Sequence, residues 1–200
     1  MNKFITEIND LSVDVEYSYA DYLLWKFQER VELIRGKISR ISDTNTQHQV
    51  ISGALFLAFG NHLKNTPCKV FAAPFDVRLT PVNPTPDGKI FNVVQPDIVI
   101  ICDASKLDAR GCVGVPDLVV EILSPGNNKK EIKDKFELYE SNGISEYWVV
   151  FPSEQTLVIY TLQNGKYEPG RMLTVGDIAQ SKVVPDFSLD LKEVFEESMF

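Results

Sequence analysis

Pro116-Asp-Leu-Val-Val-Glu-Ile-Leu-Ser-Pro125 is a short, almost wholly apolar run with proline at both ends and one carboxylate, Glu121, in its middle. Upstream, Val93-Val-Gln-Pro-Asp-Ile-Val-Ile-Ile101 has the same character and carries Asp97. Val- and Ile-rich runs of this length, bounded by Pro, Gly or Asp, read as strands buried on both faces of a sheet. An ionised carboxylate is costly there unless it is paired or holds a metal. Two such acids on two core strands point to a cation site.

Geometry narrows which acids can share an ion. Asp117 and Glu121 lie on one strand, about 13 Å apart at roughly 3.3 Å per residue, too far to bind together. Asp97 lies on another strand. If the two strands are neighbours, roughly 4.8 Å apart, Asp97 and Glu121 can both reach one cation. Two carboxylates with a backbone carbonyl and waters suit Mg2+ (or Mn2+). Such an ion activates water and stabilises charge on a phosphoryl group. Two positions beyond Glu121, on the same face of the strand, stands Leu123, so the strand brings no cation of its own. The next segment does. Lys129 to Ser141 reads as a helix ended by Asn142-Gly143. With Ile132 at the centre of its buried face, Phe136 and Tyr139 fall near that centre and Lys135 lies about 60° to one side. Lys135 then leans over the strand ends, where a lysine can orient a water or neutralise a transition-state phosphate.

The rest of the chain supplies a frame for these strands. The spacing of Ala20, Leu23, Leu24 and Phe27 predicts a helix from Tyr19 to about Glu29, capped by Ser18. Val31 to Ile41 reads as a hairpin turning at Arg35-Gly36. A helix follows from about Thr46 to Lys64, with Val50, Ile51, Ala54, Leu55 and Ala58 as its apolar face. Cys68 to Leu79 reads as a strand interrupted near Pro74, and Thr80 to Gly88 as a proline-rich loop. Asp103 to Gly114 is a polar connection. Glu146–Phe151 and Thr156–Tyr160 form an antiparallel hairpin. Short strands and turns come after it, and a last short helix spans Val194–Met199. The expectation is a single domain over 19–200 preceded by an N-terminal segment, 1–18. Its class is α/β (α+β), a mixed sheet flanked by helices.

At 200 residues, 44% apolar and 24% charged, the chain has the composition of an ordinary globular domain. No apolar run approaches the roughly 20 residues that cross a bilayer, and no export signal is visible, so a cytoplasmic setting without membrane contact is expected. Cys68, Cys102 and Cys112 are odd in number and form no C-x-x-C pair, which reads as reduced thiols filling the core. A net charge of −8 disfavours loose nucleic-acid binding, although a local basic strip can coexist with it.

Taken together, Pro96-Asp97, Glu121 with its Ile-Leu-Ser-Pro continuation, Lys135, Tyr139 and Gly143-Ile-Ser-Glu-Tyr-Trp148 resemble the PD-(D/E)XK nuclease superfamily. Within it they resemble the restriction-endonuclease-like family called Uma-two. The likeness covers about Tyr19 to Leu162, and Glu32-Leu-Ile-Arg-Gly36 and His48 fit that family's opening pattern. The two carboxylates alone are a weak motif; the ordered set is fairly specific. The resemblance implies a restriction-endonuclease-like fold and metal-dependent hydrolysis of nucleic-acid phosphodiesters, DNA first. Asp97 and Glu121 would be the metal ligands, Lys135 would take the place of the lysine the superfamily usually has where Leu123 stands, and Glu32 would be a third acid near the metal. A homodimer would suit cleavage of both strands. Leu123 and the net negative charge equally suit a second reading, a module that keeps the fold without the chemistry.

Plainer roles stand beside these. Glu121 can pair with a buried Lys or Arg, and Glu32 with Arg35 or Arg40. Asp76 can pair with Arg78, and His48 can pack or hydrogen-bond near its helix start. Asn127-Asn128-Lys129-Lys130 can cap a helix, and Tyr139, Tyr147 and Trp148 can be core.

Overall fold

The computed structural model describes residues 4–81, 85–126 and 129–196. In chain order the elements are α1 (Tyr19–Tyr22), β1 (Val31–Ile34), β2 (Lys37–Arg40), α2 (Thr46–His62), β3 (Lys69–Ala72), β4 (Val77–Arg78), β5 (Val93–Val94), β6 (Ile98–Ile101), β7 (Leu107–Asp108) and β8 (Gly111–Val113). They continue with β9 (Leu118–Ile122), α3 (Lys129–Asn142), β10 (Glu146–Phe151), β11 (Thr156–Gln163), β12 (Lys166–Pro169), β13 (Leu173–Thr174), β14 (Ile178–Gln180), β15 (Ser188–Asp190) and α4 (Leu191–Phe195).

The run around Glu121 is one strand as expected, whereas the run 93–101 is divided: Val93–Val94 is β5 of a smaller sheet and only Ile98–Ile101, β6, lies beside β9. β9 is central in the larger sheet, order β12-β11-β10-β9-β6-β3, with β13 paired to β11. β6 and β9 are antiparallel neighbours, Ile98 opposite Val120 and Val99 opposite Val119. β9 and β10 run parallel, joined by the α3 crossover. Every residue of β6 and β9 is buried, as a strand covered on both sides requires. On one face Ile98, Ile100, Leu118, Val120 and Trp148 pack against α2, α4 and the β14–β15 hairpin. On the other, Val99, Val119, Tyr147 and Val149 pack against α3 and against Val77, Val94 and Cys112 of a second sheet. That sheet has the order β2-β1-β5-β4-β8-β7. The outcome is the expected mixed α+β architecture, with the smaller sheet and α3 stacked over one face of the larger.

The β1–β2 hairpin turns at Arg35 and Gly36, both at positive φ (52° and 73°), the signature of a two-residue turn matched to strand twist. α3 and the β10–β11 hairpin follow the periodicity of the sequence.

Several expectations need correction. The first helix stops at Tyr22: its Ser18 capping box forms, but Tyr17, Tyr22 and Phe27 then pack around the Trp25 ring and turn the chain toward β1. The segment Cys68–Leu79 is two strands in two sheets, β3 beside β6 and β4 beside β5 and β8. The connection 103–114 contains β7 and β8. Cys68 and Cys102 are joined by a disulfide. They lie one step past the β3–β6 ladder, whose last pair is Lys69 opposite Ile101, and only Cys112 is a free, buried thiol. The buried face of α2 is His48, Ile51, Leu55 and Phe59, rotated from the expected stripe, and the last helix is α4, residues 197–199 lying outside those described. Residues of the N-terminal segment, Ile5, Ile8, Leu11 and Tyr17, pack on the aromatic cluster around Trp25. Among the described residues no helix is long and apolar enough to cross a membrane.

Candidate active site

Asp97 precedes β6 and continues its register, which sets it opposite Glu121 of β9. The Ile122 amide donates to Asp97 Oδ2 at 2.7 Å, tying the acid to the strand that carries Glu121. Facing residues of adjacent strands have Cβ atoms roughly 4.5–5.5 Å apart, so the two carboxylates share one corner of the sheet. The other Asp97 oxygen, Oδ1, lies 3.2 Å from His48 Nε2. His48 is 4% exposed, in the first turn of α2, and its Nδ1 is buried with no partner among the described residues. Asp117 sits at the far end of β9, where it accepts from the Cys102 amide.

Glu121 is 8% exposed. Its Oε1 accepts from Lys135 Nζ at 2.9 Å and from the Tyr139 hydroxyl at 2.6 Å. No partner for Oε2 is found among the described residues. Glu32, in β1 of the other sheet and 2% exposed, brings a third carboxylate. Its Oε1 lies 3.1 Å from Lys135 Nζ and accepts from the Gln95 amide at 2.7 Å. A single ammonium, 18% exposed, therefore bridges an acid from each sheet. The helical phase that placed Lys135 beside Tyr139 is why it arrives there: α3 crosses the end of the sheet with both residues on the side facing Glu121. The pairing weighed for Glu121 is present in Lys135. Glu32 pairs with Lys135 too, not with Arg35 or Arg40, and Arg35 instead meets Glu137 at the surface.

The electrostatics follow from burial. Three carboxylates face one lysine. Burial above all, against the pull of Lys135 and with the help of Asp97 and Glu32, raises the Glu121 carboxyl to about 7, the Tyr139 hydrogen bond opposing the rise. Burial alone would lower Lys135, but Glu121 and Glu32 more than reverse it and hold the ammonium charged. Burial, then the charges of Glu121 and Glu32, raise the Tyr139 hydroxyl well above its ordinary value, so it stays a donor.

These groups line a cavity of about 60 Å³ together with Arg30, Arg40, Ser42 and Leu123. At about 10–15 Å³ per water, it has room for a few waters. The donor set is all oxygen and partly uncompensated, which fits Mg2+ or Mn2+ held by Asp97 and Glu121 with several waters retained. Among the described residues no three His, Cys, Asp or Glu side chains are arranged to hold an ion unaided.

Gln95 organises one wall and escaped the sequence reading. Its side-chain oxygen accepts from Arg30 Nε and Nη2, its Nε2 donates to Asp76 Oδ1 at 2.9 Å, and its amide holds Glu32. A polar residue between Val94 and Pro96 in an otherwise apolar run was the available signal. Asp76 is therefore bound to Gln95, while Arg78 pairs with Asp108. Tyr139, Tyr147 and Trp148 are buried core, as read, but Tyr139 also holds Glu121. Residues 127 and 128 lie outside the described residues.

Residues 19–192 match the model of the Uma2 family, described as "Putative restriction endonuclease". The chain belongs to the Uma2 family. It is 29% identical over 146 residues, 72% of its own length and 73% of the relative's, to the uncharacterized protein slr1290 of Synechocystis. Its fold matches a crystal structure titled as a putative nuclease belonging to DUF820 from Anabaena variabilis. The TM-score is 0.72 at 17% identity, covering 91% of this chain and 99% of that one. This Uma2 chain thus has the restriction-endonuclease-like architecture that its motifs resemble.

Proposed function

We propose that this Uma2 protein is a divalent-metal-dependent endonuclease that hydrolyses phosphodiester bonds of nucleic acid, DNA first. The observation that carries the reading is the meeting of Asp97 and Glu121 at one sheet corner with Lys135 beside them. Asp97 and Glu121 would hold Mg2+ or Mn2+, which when bound polarises water and offsets charge on the phosphoryl group. The chain's own groups prepare the rest. Tyr139 and Lys135 fix Glu121 through Oε1. The Ile122 amide and His48 fix Asp97 through both of its oxygens. Glu32 anchors Lys135, which remains an ammonium, so its part is to orient water and neutralise developing negative charge rather than to accept a proton. Hydrolysis adds water across the P–O bond: the water oxygen bonds to phosphorus and the leaving oxygen takes up a proton. With Leu123 where the superfamily's lysine commonly stands, Lys135 supplies the cation from the helix.

The test is incubation of purified protein with plasmid DNA, DNA oligonucleotides and RNA in Mg2+ or Mn2+. The reading requires metal-dependent cleavage that Glu121→Gln and Asp97→Asn abolish; cleavage undiminished in both variants removes it. Leu123 and the lack of a three-ligand cage among the described residues favour one other reading, a metal-free interaction module. Absence of both cleavage and metal binding in wild type would select it.

A further inference from the structure

The cavity that gathers the three acids has no positive charge left over. With Asp97, Glu121 and Glu32 ionised, a divalent ion and Lys135 together only balance them, and Glu131 of α3 adds a further acid to the lining. A phosphodiester brings one more negative charge, and negative charge builds on the phosphoryl oxygens as it reacts. A cation outside the set already described must meet it.

The arginines say which. The chain has six. Four face a carboxylate: Arg35 meets Glu137, Arg78 meets Asp108, Arg110 meets Asp87 and Arg171 meets Asp177. Arg30 and Arg40 meet none among the described residues, and both line the cavity of Asp97 and Glu121. Both also line a wider groove of about 480 Å³ formed by residues 28–30 and 40–44. Cavity and groove share Arg30, Arg40, Ile41, Ser42 and Thr44, so one opens onto the other. The acids of the groove, Glu29 and Asp43, do not line the cavity. The β1–β2 hairpin brings the two arginines together: Arg40 pairs with Val31, and the Ile41 amide donates to the Arg30 carbonyl at 3.0 Å.

Arg30 is also aimed. It stands two residues before Glu32, so the two side chains leave one face of the strand. Its Nε and Nη2 donate to Gln95 Oε1 at 3.1 and 2.8 Å. The Gln95 amide is locked that way round, because its Nε2 donates to Asp76 Oδ1 at 2.9 Å and to the Tyr22 hydroxyl oxygen at 3.1 Å. A neutral partner fixes the direction of the guanidinium without cancelling its charge. The planar fork keeps its Nη1 edge for a pair of phosphate oxygens.

We propose that Arg30 and Arg40 bind the phosphodiester backbone of the substrate: Arg30 pairs through its free edge with the phosphate at the metal corner, and Arg40 with the next phosphate as the strand leaves along the groove. The inference takes its ligand from the nuclease reading and adds how that ligand is held. In a chain of net charge −8, two uncompensated arginines at the mouth make the local positive strip that draws a polyanion to the acids.

The test is anisotropy of a fluorescein-labelled DNA duplex of about 20 base pairs, titrated with the full chain in Ca2+ across about 25–200 mM NaCl. Arg30→Gln and Arg40→Gln should each weaken binding about 5–20-fold at the lowest salt and flatten the slope of log K against log salt by about 0.9. Arg171→Gln, a paired arginine that lines neither cavity nor groove, should change neither quantity. Arg40→Gln breaks no hydrogen bond or ion pair among the described residues, so it reads the slope even should Arg30→Gln lose stability. Calorimetric Mn2+ affinity should not fall in Arg40→Gln, which separates loss of phosphate contact from loss of the metal. Wild-type affinity and slope in both variants overturn the proposal, and if the wild type still cleaves in Mg2+ the nuclease reading outlives it. A slope lowered as far by Arg171→Gln overturns it as well. Salt-sensitive binding that both variants weaken, in a protein that cuts nothing, upholds the arginine pair and removes the nuclease.

Discussion

Glu121 and Glu146 are two buried glutamates on adjacent parallel strands of one sheet, β9 and β10, and they are stabilised in opposite ways. Glu146 is fully buried on the α2 face. Its Oε1 accepts from Trp148 Nε1 and its Oε2 from the Lys182 amide at 2.7 Å, so both oxygens are met by neutral N–H donors. Glu121, on the α3 face, meets one hydroxyl and one ammonium, both through Oε1, and shares that ammonium with Glu32. The first carboxylate fastens the turn at Lys182 to the sheet. The second is left short of positive charge beside a cavity with room for water and a further acid, Asp97. Burial alone does not mark a functional carboxylate; the marker is how completely the protein compensates it.

Substitutions can break this contrast. The largest effect is on cleavage. Glu121→Gln keeps the size of the side chain and an acceptor for Tyr139 but removes the charge, and should lower single-turnover cleavage by about 10²–10³-fold. Glu146→Gln should change the rate per folded molecule by no more than a few fold. Stability reverses the order. Glu146→Ala strands the buried Trp148 indole N–H at roughly 1–3 kcal/mol, releases the part-buried Lys182 amide, and should cost about 2–4 kcal/mol in urea unfolding. Glu121→Gln should cost less than about 1 kcal/mol in metal-free protein.

A third and smaller effect is on pH dependence. Folding raises Glu121 from 4.5 to about 7, so between those values the folded state binds more protons than the unfolded chain. Metal-free stability should therefore fall as pH rises from about 4.5 to 7, by roughly 2–3 kcal/mol in all. Urea midpoints measured across that range should be flatter in Glu121→Gln. Millimolar Mg2+ should stabilise the wild type at pH 7 and above, and have little effect on the variant.

Much of the site was legible because strand and helix periods carry it. The Pro- and Asp-bounded apolar runs gave β6 and β9, and their adjacency set Asp97 against Glu121. The 3.6-residue period gave α3 and the lean of Lys135 toward the strands. What stayed hidden depends on pairings no local pattern encodes. β4, β5, β7 and β8 are two or three residues long, too short to show alternation, and only tertiary pairing makes them a sheet. Cys68 and Cys102 are 34 residues apart and become partners only through the β3–β6 register. Gln95 and Arg78 acquire their partners across the small sheet, from Arg30 and Asp76 to Asp108. The first helix failed because the aromatic residues interleaved with the expected stripe, Tyr19, Tyr22 and Trp25, pack with Phe27 in one cluster and leave Leu23 exposed.

The most direct measurement of the central claim is a crystal of the wild-type protein soaked in Mn2+, with anomalous scattering recorded. A single site per chain with carboxylate oxygens of both Asp97 and Glu121 at about 2.0–2.4 Å would agree with the account. No anomalous peak at that corner, or a peak bound to other residues with Asp97 and Glu121 still held only by His48, Lys135 and Tyr139, would contradict it.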